Sequence, residues 1–195
     1  LLWGVQLEGI GREEFLAVAV EQRTGDIFAA GYTTQGGGGM AAGDMAGGSD
    51  SLVTRLSGED GMPLWRATRG SGFGDPISRA PFLQDSARGV AVDREGSVLV
   101  CGHTEGALYS PSEGGRDTDA FVARLNGTDG TRTWGWQTGD PLGNDYANAV
   151  AVDHSTGAVY VCGSIAGGGG EHGGGKGAGD KKEGGGTQPA GGGAG

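Results

Sequence analysis

The sequence predicts an all-β protein built from a repeated four-stranded unit. Apolar and small residues alternate in segments that recur three times along the chain, and glycine-containing turns follow each copy. Alternation with a period of two is typical of half-buried strands. No stretch of roughly 11 residues places apolar side chains at the helical spacing i, i+3, i+4 and i+7. We therefore expect strands joined by turns and almost no helix.

The first part of the repeat is a β-hairpin. Its first strand ends on an acid, and its copies are residues 16–21, 88–93 and 148–153. Its second strand ends on glycine, and its copies are residues 27–31, 98–102 and 159–163. Two apolar runs separated by about four turn residues predict a hairpin. The short connections contain Gly25, Gly96 and Gly157.

A second hairpin also recurs. Residues 50–56 match residues 119–125, and each copy is followed by an Asp-Gly turn and a tryptophan strand, at Trp65 or Trp134. Trp3 stands at the matching point near the beginning of the chain. Glycines at fixed positions of the repeat are expected to set turns; they are Gly31, Gly102, Gly163, Gly61 and Gly130.

The order of these elements predicts a partial β-propeller. Each unit reads as a tryptophan strand, a Val-Ala-Val strand, a glycine-ended strand and an Arg-Leu strand, and it recurs every 60–72 residues. Short turns would lie at one end of the sheet and longer connections, 34–49, 70–86 and 103–117, at the other. Four-stranded units in tandem are typical of propeller blades. We expect units at about 3–64, 65–133 and 134–166, which make two full blades and part of a third.

Composition divides the chain at residue 166. Residues 167–195 contain 16 glycines, three acids and three lysines, whereas residues 1–166 hold 21 acids and 11 basic side chains, all arginine. Glycine has a high entropic cost of ordering and offers no side chain to bury. We therefore expect residues 1–166 to form the repeat region and residues 167–195 to be a disordered tail.

Charge and hydropathy narrow the classes of partner. The net charge is −10, and nucleic acids and anionic membranes both require clustered positive charge. No apolar run approaches the roughly 18–20 residues of a membrane span. We expect neither a nucleic-acid partner nor a membrane span. The chain opens at Leu1 without methionine or a signal segment, so it is expected to be a fragment of a larger array, and its compartment stays unknown.

The repeat resembles a known family. The motif Ala-Val-Ala-Val-Asp, a turn, Val-Tyr-Val-x-Gly, then Asp-Ala-Phe-Val-Ala-Arg-Leu-Asn, Asp-Gly and Trp resembles the bacterial-type β-propeller repeat called the SBBP repeat. The resemblance covers most of residues 1–166 and is strongest over 87–163. It implies a propeller blade in large secreted or cell-surface proteins without a known catalytic role. This chain departs from the family in its long loops and in Glu21.

Motifs for nucleotide and zinc binding are incomplete. Residues 170–177 approach a P-loop, but Gly177 stands where the hydroxyl of serine or threonine is required. The histidines are His103, His154 and His172, and their spacing does not make a zinc site. Cys101 and Cys162 occupy the same position of successive units, too far apart for a disulfide, and are expected to be small buried residues.

Repeated acids and tryptophans are expected to be structural. Asp93 and Asp153 end a strand before a turn, and Asp50 and Asp119 precede a strand, positions from which carboxylates accept backbone N–H bonds. A calcium site around 117–119 is the alternative for the last of these, although that spacing lacks a full ligand set. The tryptophans, expected to pack in the core or between blades rather than stack on a ligand, are Trp3, Trp65, Trp134 and Trp136.

We interpret the chain as a non-catalytic propeller module for protein or surface interaction, with no cofactor and no catalytic or metal-binding residue. A blade of a quinoprotein-type enzyme is the alternative, and a fragment without independent function is a third. An open array leaves unpaired edges, through which copies of the chain can associate. Asn126, in the sequence Asn-Gly-Thr, lies on a predicted hairpin turn as a candidate glycosylation site.

Overall fold

The computed structural model describes residues 4–7, 11–34, 48–70, 83–109, 117–139 and 143–166. These residues form ten β-strands and no helix, as the alternation of the sequence predicts. The strands are β1 Glu13–Val20, β2 Ile27–Thr33, β3 Asp50–Leu56, β4 Pro63–Arg69, β5 Asp85–Val92, β6 Val98–Thr104, β7 Asp119–Leu125, β8 Arg132–Thr138, β9 Tyr146–Val152 and β10 Val159–Ser164.

The strands form three antiparallel sheets, none of which closes on itself. The first sheet has the order β1-β2-β3-β4, the second β5-β6-β7-β8, and the third contains β9 and β10. The tryptophan strand β4 pairs with β3, so it is the last strand of the first sheet. The hydrogen-bonded sheets are therefore offset by one strand from sequence units that begin with tryptophan.

Turn glycines have the conformation that the repeat predicts. Gly25, Gly61, Gly96, Gly130 and Gly157 all have φ between 74° and 83°, a region in which L side chains are strained. Each lies in a short connection between two paired strands. The meander places all these short turns at one end of the sheets and the longer connections at the other, as expected.

The expectation that Gly31, Gly102 and Gly163 also set turns is wrong. They lie within β2, β6 and β10, each opposite a register shift in the neighbouring strand. A methyl group at Gly31, Gly102 or Gly163 would overlap the carbonyl oxygen of Glu14, Ser86 or Tyr146, respectively. A β-bulge brings the backbone of the first strand close at this point, and only glycine leaves room for it.

The main core lies between the first two sheets. Phe28, Ala30 and Val53 of the first sheet pack against Val100 and Phe121 of the second. Phe28 and Phe121 are 1% and 2% exposed. Burying side chains of this size contributes roughly 1.5–3 kcal/mol each, so this interface holds the two sheets together.

A smaller cluster joins the second and third sheets. Cys101, Val122 and Ala147 are buried there. Equivalent backbone hydrogen bonds connect the first sheet to the second and the second to the third. The N–H of Asp85 donates to the carbonyl oxygen of Ser49 at 2.7 Å, and the N–H of Asp145 donates to the carbonyl oxygen of Thr118 at 2.6 Å. The three sheets are therefore stacked by one repeated mode of contact.

The outer faces of the stack expose apolar side chains. Val18 of β1 is 66% exposed and Tyr160 of β10 is 61% exposed, because no described sheet covers either face. The described part of the chain contains no helix with the length and apolarity that crossing a membrane requires. The expected disordered tail 167–195, Trp3 and most of the long connections lie outside the described residues.

Candidate functional site

The three sheets share one cleft. It has a volume of about 840 Å³ and is lined by equivalent residues of the first strand of each sheet and the turn that follows it. We call it the shared cleft; its residues are 19–23, 90–94, 150–152, His154 and Ser155. Small and branched side chains make its walls because the Val-Ala-Val strands β1, β5 and β9 lie side by side.

The acids at the ends of these strands stabilise the turns. Glu21 accepts hydrogen bonds from the backbone N–H groups of Arg23 and Thr24, both at 3.1 Å. Asp93 accepts the N–H of Ser97 at 2.7 Å, and Asp153 accepts that of Ser155 at 2.8 Å. The structural role expected of Asp93 and Asp153 is confirmed, with Glu21 in the same role.

The surroundings of Asp153 and Glu21 keep these two carboxylates ionised. Hydrogen bonds from the hydroxyls of Ser155 and Thr156, and then from the N–H of Ser155, lower the pKa of Asp153 to about 2. The hydroxyl of Thr24 lowers the pKa of Glu21 against the opposing effect of burial. Carboxylates bound in this way hold their own turns and offer no proton at neutral pH.

The rim of the shared cleft carries two exposed arginines and an exposed histidine. Arg23, Arg94 and His154 all lie in the turns at its mouth and are exposed. Arg23 forms an ion pair within the part of the chain that the structure describes, with its Nε 3.6 Å from Glu21. Although the chain has a net charge of −10, the side chains of this rim can bind an acidic or polar group of a ligand.

A polar cluster joins the second and third sheets. The Nε of Arg88 donates to the Nδ1 of His103 at 3.1 Å. The ring of Tyr146 lies edge-on to His103, with centroids 5.1 Å apart, and below the guanidinium of Arg88 at 5.6 Å. Burial, and then the charge of Arg88, lower the pKa of His103 to about 4. His103 is therefore a neutral acceptor in a structural contact.

The two cysteines have different environments. Cys101 is fully buried, as expected, and burial raises the pKa of its thiol to about 12. Cys162 is exposed, so the expectation that it is buried is wrong. The reason is that β10 has no further strand or sheet over it among the described residues. Both thiols are free.

Asp50 and Asp119 begin β3 and β7, and each carboxylate lies close to the glycine that follows β4 or β8. A methyl group at Gly70 or Gly139 would overlap the carboxylate of Asp50 or Asp119. Asp119 accepts a hydrogen bond of 2.7 Å from Nε2 of Gln137 and is 4% exposed. Its oxygens are thus used within the sheet, which does not support the calcium alternative. The described residues hold no group of three or more His, Cys, Asp and Glu side chains arranged for a metal ion.

Two buried acids were not anticipated from the sequence. Asp85 and Asp145 occupy the start of β5 and the residue before β9, and they are 1% and 0% exposed. Asp85 accepts the hydroxyl of Thr104, and Asp145 accepts the N–H of Ala166 at 2.8 Å. Both acids stand at the same spacing before the first valine of the Val-Ala-Val motif, Val90 or Val150, and this repeated spacing is the sequence signal that could have revealed them.

The tryptophans differ in the cover that they receive. Trp65 packs on Phe28 with ring centroids 5.8 Å apart, and its Nε1 donates to the carbonyl of Gly127 in the next sheet at 2.8 Å. Trp134 and Trp136 are 39% and 58% exposed. The packing expected of Trp65 is confirmed. That expected of Trp134 and Trp136 is wrong, because no described turn of the third sheet packs over them as the turn at Gly127 packs over Trp65.

Asn126 lies at the end of β7, in the turn that docks on the first sheet. Its Oδ1 accepts the N–H of Thr128 at 2.8 Å, and the side chain is half-buried. Thr128 is exposed. Glycosylation of Asn126 stays a prediction.

A scan against protein-family models found no match to this chain, and a search of curated proteins found no similar sequence.

Proposed function

We propose that this chain is a non-catalytic β-propeller repeat module that binds a protein or a surface ligand. The observation that carries the proposal is the shared cleft, to which three sheets contribute the same strand and the same turn. Sheets repeated radially around a central channel have this arrangement. The resemblance of residues 87–163 to the SBBP repeat supports the same architecture.

The chemistry of the described residues favours binding over catalysis. Carboxylates at the cleft are occupied by their own turns, and His103 is held by Arg88 away from the cleft. The exposed groups at the rim are the cations Arg23 and Arg94 together with His154. The guanidinium groups of the two arginines recognise anionic or polar ligand groups through hydrogen bonds and charge. We place the ligand at this rim.

The repeat architecture is tested by completing the third sheet. In a variant that carries a copy of residues 105–139 in place of residues 166–195, β10 gains the two strands that follow β6 in the second sheet. We expect a higher urea midpoint, because β10 gains a paired strand on its open side. A control copy with serine at the positions of Phe121, Val122 and Leu125 should not show this increase. Equal stability of the two variants would contradict the repeat.

The binding role is tested on immobilised panels of proteins and surface glycans. A ligand that binds the wild type should bind the Arg94→Glu variant at least about tenfold more weakly, since a cation at the rim becomes an anion. The Arg12→Glu variant, changed at an exposed residue that precedes β1 and lies outside the cleft, should bind normally. Turnover of any ligand by the purified chain would overturn the non-catalytic role.

A further inference from the structure

The third sheet ends at a strand with an open side. Strand β10 pairs with β9, and no other described strand pairs with it. The equivalent strands β2 and β6 pair on both sides, with β1 and β3 or with β5 and β7. The outer side of β10, residues 159–164, therefore presents backbone N–H and C=O groups that can pair with an added strand; we call it the open edge.

The open edge is apolar as well as unpaired. Val159, Tyr160 and Val161 are 37%, 61% and 44% exposed. Their equivalents in β6 are Val98, Leu99 and Val100, which are at most 3% exposed. The sequence of β10 is thus that of a strand covered on both sides, and adding a strand at its edge would bury apolar surface.

The two complete sheets show which strand fits there. Strands β3 and β7 pair with β2 and β6 in the same antiparallel register and without a bulge. Leucine faces the first residue of the glycine-ended strand, as in Leu56 with Ile27 and Leu125 with Val98. Strands β3 and β7 both have the pattern Asp-x-apolar-Val-x-Arg-Leu.

In both complete sheets, the arginine of that pattern forms an ion pair with a carboxylate. Arg124 of β7 pairs with Asp93, the acid that ends the first strand of the second sheet, whereas Arg55 of β3 pairs with Asp26, the residue before β2, through an Nε–Oδ2 hydrogen bond of 3.0 Å. The second sheet is therefore the template for an ion pair at Asp153. Asp153 is the equivalent of Asp93 in the third sheet, and no arginine or lysine of the described residues forms an ion pair with it. Its hydrogen bonds to Ser155 and Thr156 keep it ionised.

We propose that the open edge binds an extended peptide segment of the pattern Asp-x-apolar-Val-x-Arg-Leu, antiparallel to β10. Its arginine pairs with Asp153, and its leucine lies opposite Val159. Main-chain pairing supplies affinity in this mode of recognition, while alternate side chains and the ion pair supply specificity. The main-chain pairing lies on the edge of β10, outside the residues that line the shared cleft, whereas Asp153 lies in the turn beside that cleft.

The probe is a fluorescent synthetic peptide of residues 117–126, titrated with the full chain and followed by anisotropy. We expect saturable binding. A peptide of residues 132–138 is the matched control, because that strand type pairs with β7 and never with β6. Equal binding of the two peptides would overturn the proposal.

The ion pair is tested by a double-mutant cycle. Arg124→Ala in the peptide and Asp153→Asn in the chain should each weaken binding at least about fivefold, and the two together no more than either alone. The peptide change leaves the turn of Asp153 intact, so it separates a lost ion pair from a disturbed turn. Independent, multiplying effects would exclude the pairing of Arg124 with Asp153.

Cys162 reports the register. In the second sheet Cys101 lies opposite Val122, so Cys162 should lie opposite the same position of the bound peptide. Peptides with Val122→Cys, Phe121→Cys or Ala123→Cys are supplied as mixed disulfides with thionitrobenzoate. The Cys162 thiolate attacks the peptide sulfur, forms a protein–peptide disulfide and releases thionitrobenzoate.

We expect the Val122→Cys peptide to react at least tenfold faster than the other two. Equal rates would overturn the register. A dimer of chains in sedimentation that excludes the 117–126 peptide would show that β10 pairs with a second copy, which also overturns the proposal. The Arg94→Glu variant, changed at the rim of the shared cleft and not at the open edge, should bind the peptide as the wild type does, so the proposed function can stand or fall separately.

Discussion

Arg55 on the first sheet donates a hydrogen bond of 2.8 Å from Nη1 to the carbonyl oxygen of Gly127 on the second. The same carbonyl accepts the indole N–H of Trp65. Arg55 is also paired with Asp26, and their side chains are only 18% and 12% exposed. One arginine therefore joins a turn of its own sheet to a turn of the next.

Arg55→Ala should lower the free energy of unfolding by about 3 kcal/mol, because the substitution leaves a mostly buried carboxylate without its partner. Urea denaturation measures the change. Arg12→Ala is the matched control, since the pair of Arg12 with Glu14 is exposed and should contribute less than about 0.5 kcal/mol. Equal losses for the two variants would show that the bridge between sheets is not stabilising.

Glycine substitutions should separate two kinds of constraint. Gly96→Ala should cost about 1 kcal/mol, since the turn has φ of 83° but open space around it. Gly102→Ala should cost about 3 kcal/mol, because the added methyl group overlaps the carbonyl of Ser86. Thermal or urea unfolding of both variants gives the comparison. A milder effect at Gly102 than at Gly96 would argue against the close approach at the bulge.

Equivalent positions in the second and third sheets should differ in their effect on stability. Leu99 and Tyr160 stand at the same place of β6 and β10, but Leu99 is 1% exposed and Tyr160 61%. Leu99→Ala should cost about 3 kcal/mol through lost burial and a residual cavity. Tyr160→Ala should cost less than about 0.5 kcal/mol. A large loss at Tyr160 would mean that its face is covered in solution.

Stability should fall as the pH is lowered from about 6.5 to about 4. The folded pKa of His103 is lowered from 6.5 to about 4, so in this range the unfolded chain binds a proton that the native state does not. The free energy of unfolding of His103→Gln should therefore change less between pH 7 and pH 5 than that of the wild type.

His154→Gln is the control for the pH experiment, since His154 lies exposed in a turn. It should keep the pH dependence of the wild type, while carboxylates common to all three proteins contribute equally to each. A His103→Gln variant with the wild-type slope would show that the native imidazole titrates freely.

One thiol per native chain should react with a disulfide reagent, and two should react in denaturant. Cys162 is exposed, whereas Cys101 is buried with its pKa raised to about 12, and the thiolate is the reactive form. Cys162→Ser should abolish the native reaction. Two fast thiols in the native protein would contradict the packing of the second sheet against the third.

The sequence predicts strands and turns well because the constraints on them are local. Alternation identifies the first strand of each sheet, and an Asp-Gly pair identifies the turn at Gly61. The glycine at position 102 was assigned to a turn because the bulge that requires it lies in another strand. No pattern within β6 reveals the neighbouring carbonyl of Ser86.

Burial of equivalent residues could not be predicted from the repeat alone. Cys162 matches Cys101, and Trp134 matches Trp65, yet each later copy is exposed. Cys101 and Trp65 are covered by residues of the sheet that follows theirs. The same residue type therefore has a different exposure in each copy of the repeat, according to which sheet packs against it. The contact of Arg88, His103 and Tyr146 occurs once and uses residues that the repeat does not share, which leaves no periodic signal.

The one-strand offset between sequence unit and sheet has a genetic consequence. A duplication with breakpoints in the equivalent β4–β5 and β8–β9 connections would insert one whole sheet, complete with its tryptophan strand. The carbonyl of Gly127, which receives Arg55 and Trp65, would be copied with it. An array of this kind can gain or lose members by recombination without having to evolve a new contact surface.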